Sequence, residues 1–151
     1  MNVRLFAFLV VVVGSATGCP SFNNAPGPAF AHSPPPEGKA TIYFYRPAQK
    51  IMSSYPLFMS LPASADNCFQ LESGGYTAFV TDPGAVTIAA GLTHLFGKTF
   101  TVKSGEVKYV EVDIVDDDAV LNEVSAGEAQ PKIVQTKGIV TCASDKVKNP
   151  K

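Results

Sequence analysis

Between Lys39 and Val115 apolar and polar side chains alternate in short runs, and a turn signal interrupts the chain about every ten residues. Successive side chains of a strand point to opposite faces, so this two-residue period predicts half-buried strands; a helix would space its apolar residues three and four apart. Lys39 to Arg46 sets Ile42 and Phe44 on one face and Thr41, Tyr43 and Tyr45 on the other, and Pro47 ends it. Leu57, Met59 and Leu61 alternate with Phe58 and Ser60 up to Pro62. Phe69 and Leu71 mark a third strand, closed by Glu72-Ser73-Gly74-Gly75, and Tyr76 to Thr81 is the fourth. Asp82-Pro83-Gly84 then turns the chain, proline fixing φ and glycine relieving the next position. Ala85 to Ala90, Lys98 to Lys103 and Glu106 to Val115 complete seven strands, with Val86, Ile88, Phe100, Val102, Val110, Val112 and Ile114 inward.

Seven short strands at this spacing predict an all-β fold, an antiparallel sandwich or barrel. One short helical segment fits near the C-terminal end. Ser125 and Glu128 have capping-box spacing, and Ala126 and Ala129 allow a turn or two before Pro131. From Gln135 onward the chain has little period, which predicts a tail of residues 135–151, disordered beyond Cys142.

The ends of the chain read differently. Arg4 precedes the uncharged run Leu5 to Val13, which has the length of a signal-peptide core and falls well short of the roughly 20 residues of a spanning helix. Gly14-Ser15-Ala16-Thr17-Gly18-Cys19 follows, and resembles the bacterial lipobox, with Ala16 where leucine is usual. Residues 1–18 are therefore expected to be a cleaved signal peptide and Cys19 a lipid-modified first residue, the alternative being an ordinary secretory cut beside a plain thiol. Residues 19–38 carry six prolines and no strand or helix period. They are expected to be an extended tether in which His32 has no neighbours, leaving residues 39–134 as the folded domain.

Twelve basic and thirteen acidic residues leave the chain nearly neutral, so no basic face is available for nucleic acid. The charge is unevenly placed: Glu106 to Glu128 holds eight acids and one lysine, Lys132 to Lys151 five lysines and one acid. With Cys19 modified, Cys68 and Cys142 remain, and an oxidising compartment favours a disulfide between them over two free or buried thiols.

The series Ile42-Tyr43-Phe44-Tyr45-Arg46-Pro47, Gly75-Tyr76, Asp82-Pro83-Gly84 and Ser104-Gly105 to Tyr109 is similar to a bacterial domain family of unknown function found in small lipoproteins. That family opens with a YxYRP strand and carries a central G-x-Y…PG hairpin and a late G-x-x-x-Y strand. The resemblance covers about Ala40 to Ile133. It implies a single sandwich of transthyretin or immunoglobulin type on a lipid anchor, and no activity. The chain departs from the family pattern at Ala63 to Cys68, where a short hairpin is usual.

Several residues could carry chemistry. Glu111, Asp113 and Asp116 to Asp118 present oxygen ligands of the kind Ca²⁺ takes, but without EF-hand spacing, so a solvated acidic turn is the favoured reading. His94 has no cysteine or histidine at ligand spacing. A triad from Ser53 or Ser104 lacks a nucleophile elbow. Arg46, beside Tyr43 and Tyr45, could grip a carboxylate or phosphate of a surface polymer, or finish the sheet edge by pairing with an acid or stacking on tyrosine. With Tyr55, Tyr76 and Tyr109, these tyrosines could form a sugar- or peptide-binding face, or be the amphipathic half of sandwich strands. The expectation is a membrane-anchored envelope module that is not an enzyme, needs no metal or cofactor, and meets another envelope protein; the alternative is a polysaccharide- or peptidoglycan-binding module.

Overall fold

The computed structural model describes residues 27–49, 55, 57–60, 68–91 and 96–138. The signal segment, Cys19, Ser53, His94 and Cys142 lie outside the described residues, and with Cys142 the expected disulfide.

The strands are β1 (Ala40–Tyr45), β2 (Leu57–Ser60), β3 (Cys68–Leu71), β4 (Gly75–Thr81), β5 (Gly84–Gly91), β6 (Phe96–Val102), β7 (Val107–Val115), β8 (Asp118–Val124) and β9 (Lys137–Gly138), with one helix, α1 (Ala126–Ile133), between β8 and β9. They form two sheets, β8-β7-β1-β4-β9 and β3-β2-β5-β6. The all-β fold in two sheets with one short helix is as the alternation predicts. Ile42 and Phe44 of β1, Val110 and Val112 of β7 and Leu121 of β8 meet Leu57, Met59, Ile88, Phe100 and Val102 of the second sheet in one buried cluster. Phe44 and Phe100 cross it edge to face, centroids 6.1 Å apart. At one side of the sandwich the Lys98 ammonium donates to the Leu121 carbonyl, tying edge strand β6 to edge strand β8.

Four expectations are corrected. The described strands number nine, because β8 and β9 were not foreseen. Strand β8 follows a two-residue turn at Asp116 and Asp117, whose φ angles are 51° and 67°. Both residues are left-handed, as a primed hairpin turn requires, but glycine and asparagine, the usual signals for that turn, are missing. Second, the first sheet is mixed: β1 pairs antiparallel with β4 and parallel with β7. Third, α1 runs through Pro131 to Ile133. The bond that proline cannot donate would have gone to the Gly127 carbonyl in the first turn, at an exposed residue that water can serve. The capping box is present as expected: Glu128 N–H donates to Ser125 Oγ, and Ser125 N–H donates to the Glu128 carboxylate at 3.0 Å.

The fourth correction concerns both ends of the domain. Thr136 is buried and Lys137–Gly138 pair parallel with Gly75 and Tyr76, so the fold continues past residue 134. Residues 27–33, expected in the tether, lie on the domain as a strap. Gly27 N–H donates to the Gly138 carbonyl (2.9 Å), Gly138 N–H to the Pro28 carbonyl (2.6 Å) and Phe30 N–H to the Thr136 carbonyl (3.2 Å), with an antiparallel bridge from Ala29 to Lys137. A Cβ on Gly27 would lie 2.3 Å from the Gly138 carbonyl oxygen, so glycine permits this approach. From Pro36 a turn with Gly38 at φ 75° leads into β1, the Lys39 N–H donating to the Pro36 carbonyl.

Candidate functional site

The register of β1 assembles the tyrosines. Paired residues of adjacent strands share a face, and on the face turned away from the second sheet Tyr43 sits beside Tyr109, while Tyr45 sits between Tyr76 and Glu111. Tyr43 and Tyr109 stack with centroids 5.6 Å apart and 19° between planes. This is the aromatic cluster that alternation in β1, β4 and β7 allowed. It is not an open face, because Tyr43, Tyr45 and Tyr109 are buried.

Two covers seal it. Helix α1 lays Ala129 and Ile133 on the tyrosines, both fully buried. The strap lays Phe30 edge-on against Tyr43 and Tyr76, each at a centroid distance of 5.2 Å. The hydroxyls are engaged by the same covers. Ser33 N–H donates to the Tyr43 hydroxyl oxygen (2.9 Å) and that hydroxyl donates to the Ser33 carbonyl (3.1 Å). Gln130 of α1 donates to the Tyr109 hydroxyl, which also lies 3.3 Å from His32 Nδ1. His32 therefore has neighbours, contrary to the tether reading. The Tyr45 hydroxyl donates to Glu111 Oε2 (2.8 Å), and Lys132 of α1 donates to the same oxygen (2.6 Å). Burial pushes the Tyr45 hydroxyl well above the ordinary tyrosine range, and the hydrogen bond and charge of Glu111 add to it. Burial also raises Tyr109, against the opposing effect of the Gln130 bond.

Arg46, the residue after β1, is fully buried. Its Nη1 donates to the Tyr55 carbonyl (2.6 Å) and its Nη2 approaches Gln49 Oε1 (3.4 Å). Gln49 links onward, its side-chain amide donating to Asp113 and its backbone N–H to Ser73 Oγ. Burial lowers the Arg46 pKa and the charge of Asp113 opposes that. The backbone of Arg46 closes the turn after β3, accepting from Gly74 N–H and donating to the Gly75 carbonyl. These contacts match an arginine that finishes the end of a sandwich, and no part of it is exposed to grip a polymer.

The acids are dispersed among separate tasks: Glu111 serves Tyr45 and Lys132, Asp113 serves Gln49, and Asp116 and Asp117 form the hairpin turn. Among the described residues no group of three or more His, Cys, Asp or Glu is placed to hold a metal ion, and no helix is long and apolar enough to cross a membrane. Phe30, Ser33 and His32 were missed as partners of the tyrosines. The available signal was a phenylalanine among the proline, glycine and alanine of residues 25–31.

The second sheet offers a different surface. Its outward residues are Phe58 and Ser60 of β2, Gln70 of β3, Ala85, Thr87 and Ala89 of β5, and Gly97, Thr99 and Thr101 of β6, as the register assigns them. None carries a charge. Phe58 is 40 % exposed, and Ala85, Thr87, Gly97, Thr99 and Thr101 are exposed. Thr87 and Thr99 hydrogen-bond to each other across the strands at 2.8 Å.

No protein-family model matches the chain, and no curated protein or solved structure matches it.

Proposed function

We propose that this chain is an exported lipoprotein of the bacterial cell envelope, anchored through lipid on Cys19 and facing the periplasm or the cell surface. Its sandwich, of transthyretin or immunoglobulin type, acts as a non-enzymatic structural or protein-association module. Arg4, the run Leu5 to Val13 and the small residues before Cys19 support the address, and the YxYRP-type resemblance supports the class. The observation that carries the association reading is the uncharged outer face of the second sheet. The solvent face of an antiparallel sheet ordinarily carries polar and charged side chains. Small neutral residues with Phe58 beside them make a face that loses little when covered by another protein.

The alternative, recognition of an envelope polysaccharide or peptidoglycan, looked to Tyr43, Tyr45 and Arg46 as an open surface. With all three buried, that reading requires the strap or α1 to leave first.

The test has two parts. Mass spectrometry of protein extracted from membranes is expected to find diacylglyceryl-modified Cys19 at the mature amino terminus; an unmodified cut elsewhere sinks the anchor. A photo-crosslinker placed at Thr99 is expected to capture an envelope protein that the same group at exposed Ser104 does not. Equal capture from both positions, or retention on peptidoglycan with no protein adduct, sinks the association reading.

A further inference from the structure

The strap is held by contacts that any copy of the domain can supply. Its groove is formed by Tyr43 of β1, Tyr76 of β4, Tyr109 of β7 and the carbonyls of Thr136 and Gly138, all within residues 40–138. Phe30 lies edge-on against Tyr43 and Tyr76, and the Tyr43 hydroxyl serves both the N–H and the carbonyl of Ser33. None of these contacts requires strap and groove to belong to one chain. What ties the two together is the link from Ser33 to Lys39.

That link has two stiff parts and one pliable joint. Pro34, Pro35 and Pro36 each fix φ near −65°, which favours an extended run of about 3.1 Å per residue, and strand β1 begins at Ala40. Between them lies an exposed turn at Glu37 and Gly38. The Lys39 N–H closes it by donating to the Pro36 carbonyl (3.0 Å), and Gly38 has a φ of 75°. A Cβ on Gly38 would meet nothing within 4 Å, so glycine is required here for its φ and not for space. With the turn opened, the steps from Ser33 to Lys39 span about 20 Å. A compact chain of about 110 residues has a radius of gyration of about 13 Å, so the straightened link carries the strap clear of its own face and onto a neighbour's.

We infer that the strap exchanges between copies of this chain: Phe30 and its neighbours in one copy seat on the tyrosine face of a second, whose own strap seats on the first, with Glu37 and Gly38 as the hinge. The arrangement is two-fold symmetric and repeats every strap contact of the single copy. The single copy is favoured by its tether, which presents the strap at an effective concentration of about 1 mM, and the pair is favoured by release of the turn. Exchange therefore rises with concentration, and any penalty on the left-handed turn shifts the balance towards it. The tyrosines stay covered in both arrangements, so the association of the second sheet with another protein is independent of this one.

Disulfide trapping between copies tests the exchange. Ala29 and Lys137 face each other across an antiparallel bridge, where Cα atoms lie about 4.5–5.5 Å apart, within disulfide reach. One full chain carries Ala29→Cys and the other Lys137→Cys, each with Cys19→Ser, Cys68→Ser and Cys142→Ser, which removes the three native thiols. The two are mixed at about 0.1 mM, a tenth of the effective concentration of the tether, and mildly oxidised. The mixed adduct, identified by mass, is expected to form severalfold faster than that of a collision control pairing exposed Ser104→Cys with Lys137→Cys. Equal rates overturn the exchange. Valine at a left-handed position carries a roughly tenfold penalty, and both turns open on exchange, so Gly38→Val in both chains is expected to speed the adduct at least tenfold. Phe30→Ser in the Ala29→Cys chain is expected to return the rate to that of the control. An adduct that ignores Gly38→Val, or one that survives Phe30→Ser, overturns the assignment of hinge and strap; the arm with the native hinge stands on its own if Gly38→Val does not fold.

Discussion

The turn between β7 and β8 is the place where a single substitution is expected to strengthen the fold. Asp116 and Asp117 join Val115 to its partner Asp118 with φ angles of 51° and 67°. A left-handed conformation costs an L-residue roughly 1–2 kcal/mol, least for aspartate and asparagine, and costs glycine almost nothing. Asp117→Gly therefore relieves about 1–1.5 kcal/mol in the folded state. Glycine also gives the unfolded chain more freedom, which returns about 0.5–1 kcal/mol. Removing one of three adjacent like charges, all exposed, contributes a few tenths at low salt. The net is a gain of about 0.5–1 kcal/mol, or 2–6 °C in Tm for a domain of this size. Asp117→Val, branched at Cβ, must pay the left-handed cost in full and is expected to lose at least 1 kcal/mol. Urea denaturation of the two variants beside the parent, at 20 mM and 500 mM salt, separates the conformational part from the electrostatic part. If Asp117→Gly lowers the midpoint, or if Asp117→Val leaves it unchanged, the primed turn assigned to these residues is wrong.

Phe30→Ala removes two edge-to-face contacts worth about 0.5–1.5 kcal/mol each, so docking of the strap should weaken by about 2 kcal/mol. Limited proteolysis within residues 27–38 is then expected to quicken about 30-fold while the denaturation midpoint of the sandwich moves little; unchanged cleavage counts against the strap. The Tyr45 pKa is raised in the folded state, so its contribution to stability is complete below about pH 10, the unfolded tyrosine value, and is lost as pH rises above it toward the folded value. Stability measured from pH 8 to 11 should fall, and Tyr45→Phe should flatten that fall; an equal slope refutes the burial of this hydroxyl. The Glu106 pKa is depressed, chiefly by the bond it accepts from Lys103 N–H and further by Lys108. Its contribution is therefore present above about pH 4.5 and lost as pH falls through the lowered folded value, and Glu106→Gln should make the acid limb of the stability profile shallower.

The elements that could be read from the residues alone were those whose signal is local. Alternation in β1, β5, β6 and β7 and the capping box at Ser125 and Glu128 need only neighbours in sequence, and each is present. What could not be read depends on partners far along the chain. The parallel pairing of β1 with β7 joins residues about 66 apart, and no local pattern announces it. Strand β8 was hidden because its turn uses aspartate where glycine is expected, and β9 because two residues hold no period. The candidate site was legible in membership and misleading in exposure. Alternation put Tyr43 and Tyr45 on one face, but whether that face meets water depends on Phe30, Ser33, Ala129 and Ile133, which come from segments that show no strand pattern.

Burial of β1 on both faces follows from that arrangement. A strand covered on one side reads as alternating buried and exposed residues, whereas all six residues of Ala40–Tyr45 are buried, polar-capable Thr41, Tyr43 and Tyr45 among them. The core side is packed by the second sheet, and the outer side by the first residues of the domain and its last helix. The strap and α1 thus cover the same face; the hydroxyls of Tyr43 and Tyr109 hold them by hydrogen bonds with Ser33 and Gln130, and Tyr45 shares the Glu111 carboxylate with Lys132 of α1. This makes the molecule three layers: cover, mixed sheet and second sheet. Only the last of these has an outer face that nothing in the described chain covers broadly, and it is the one without charge. With the tyrosine face covered internally, the association proposed above falls to the neutral face of β5 and β6 rather than to the aromatic cluster.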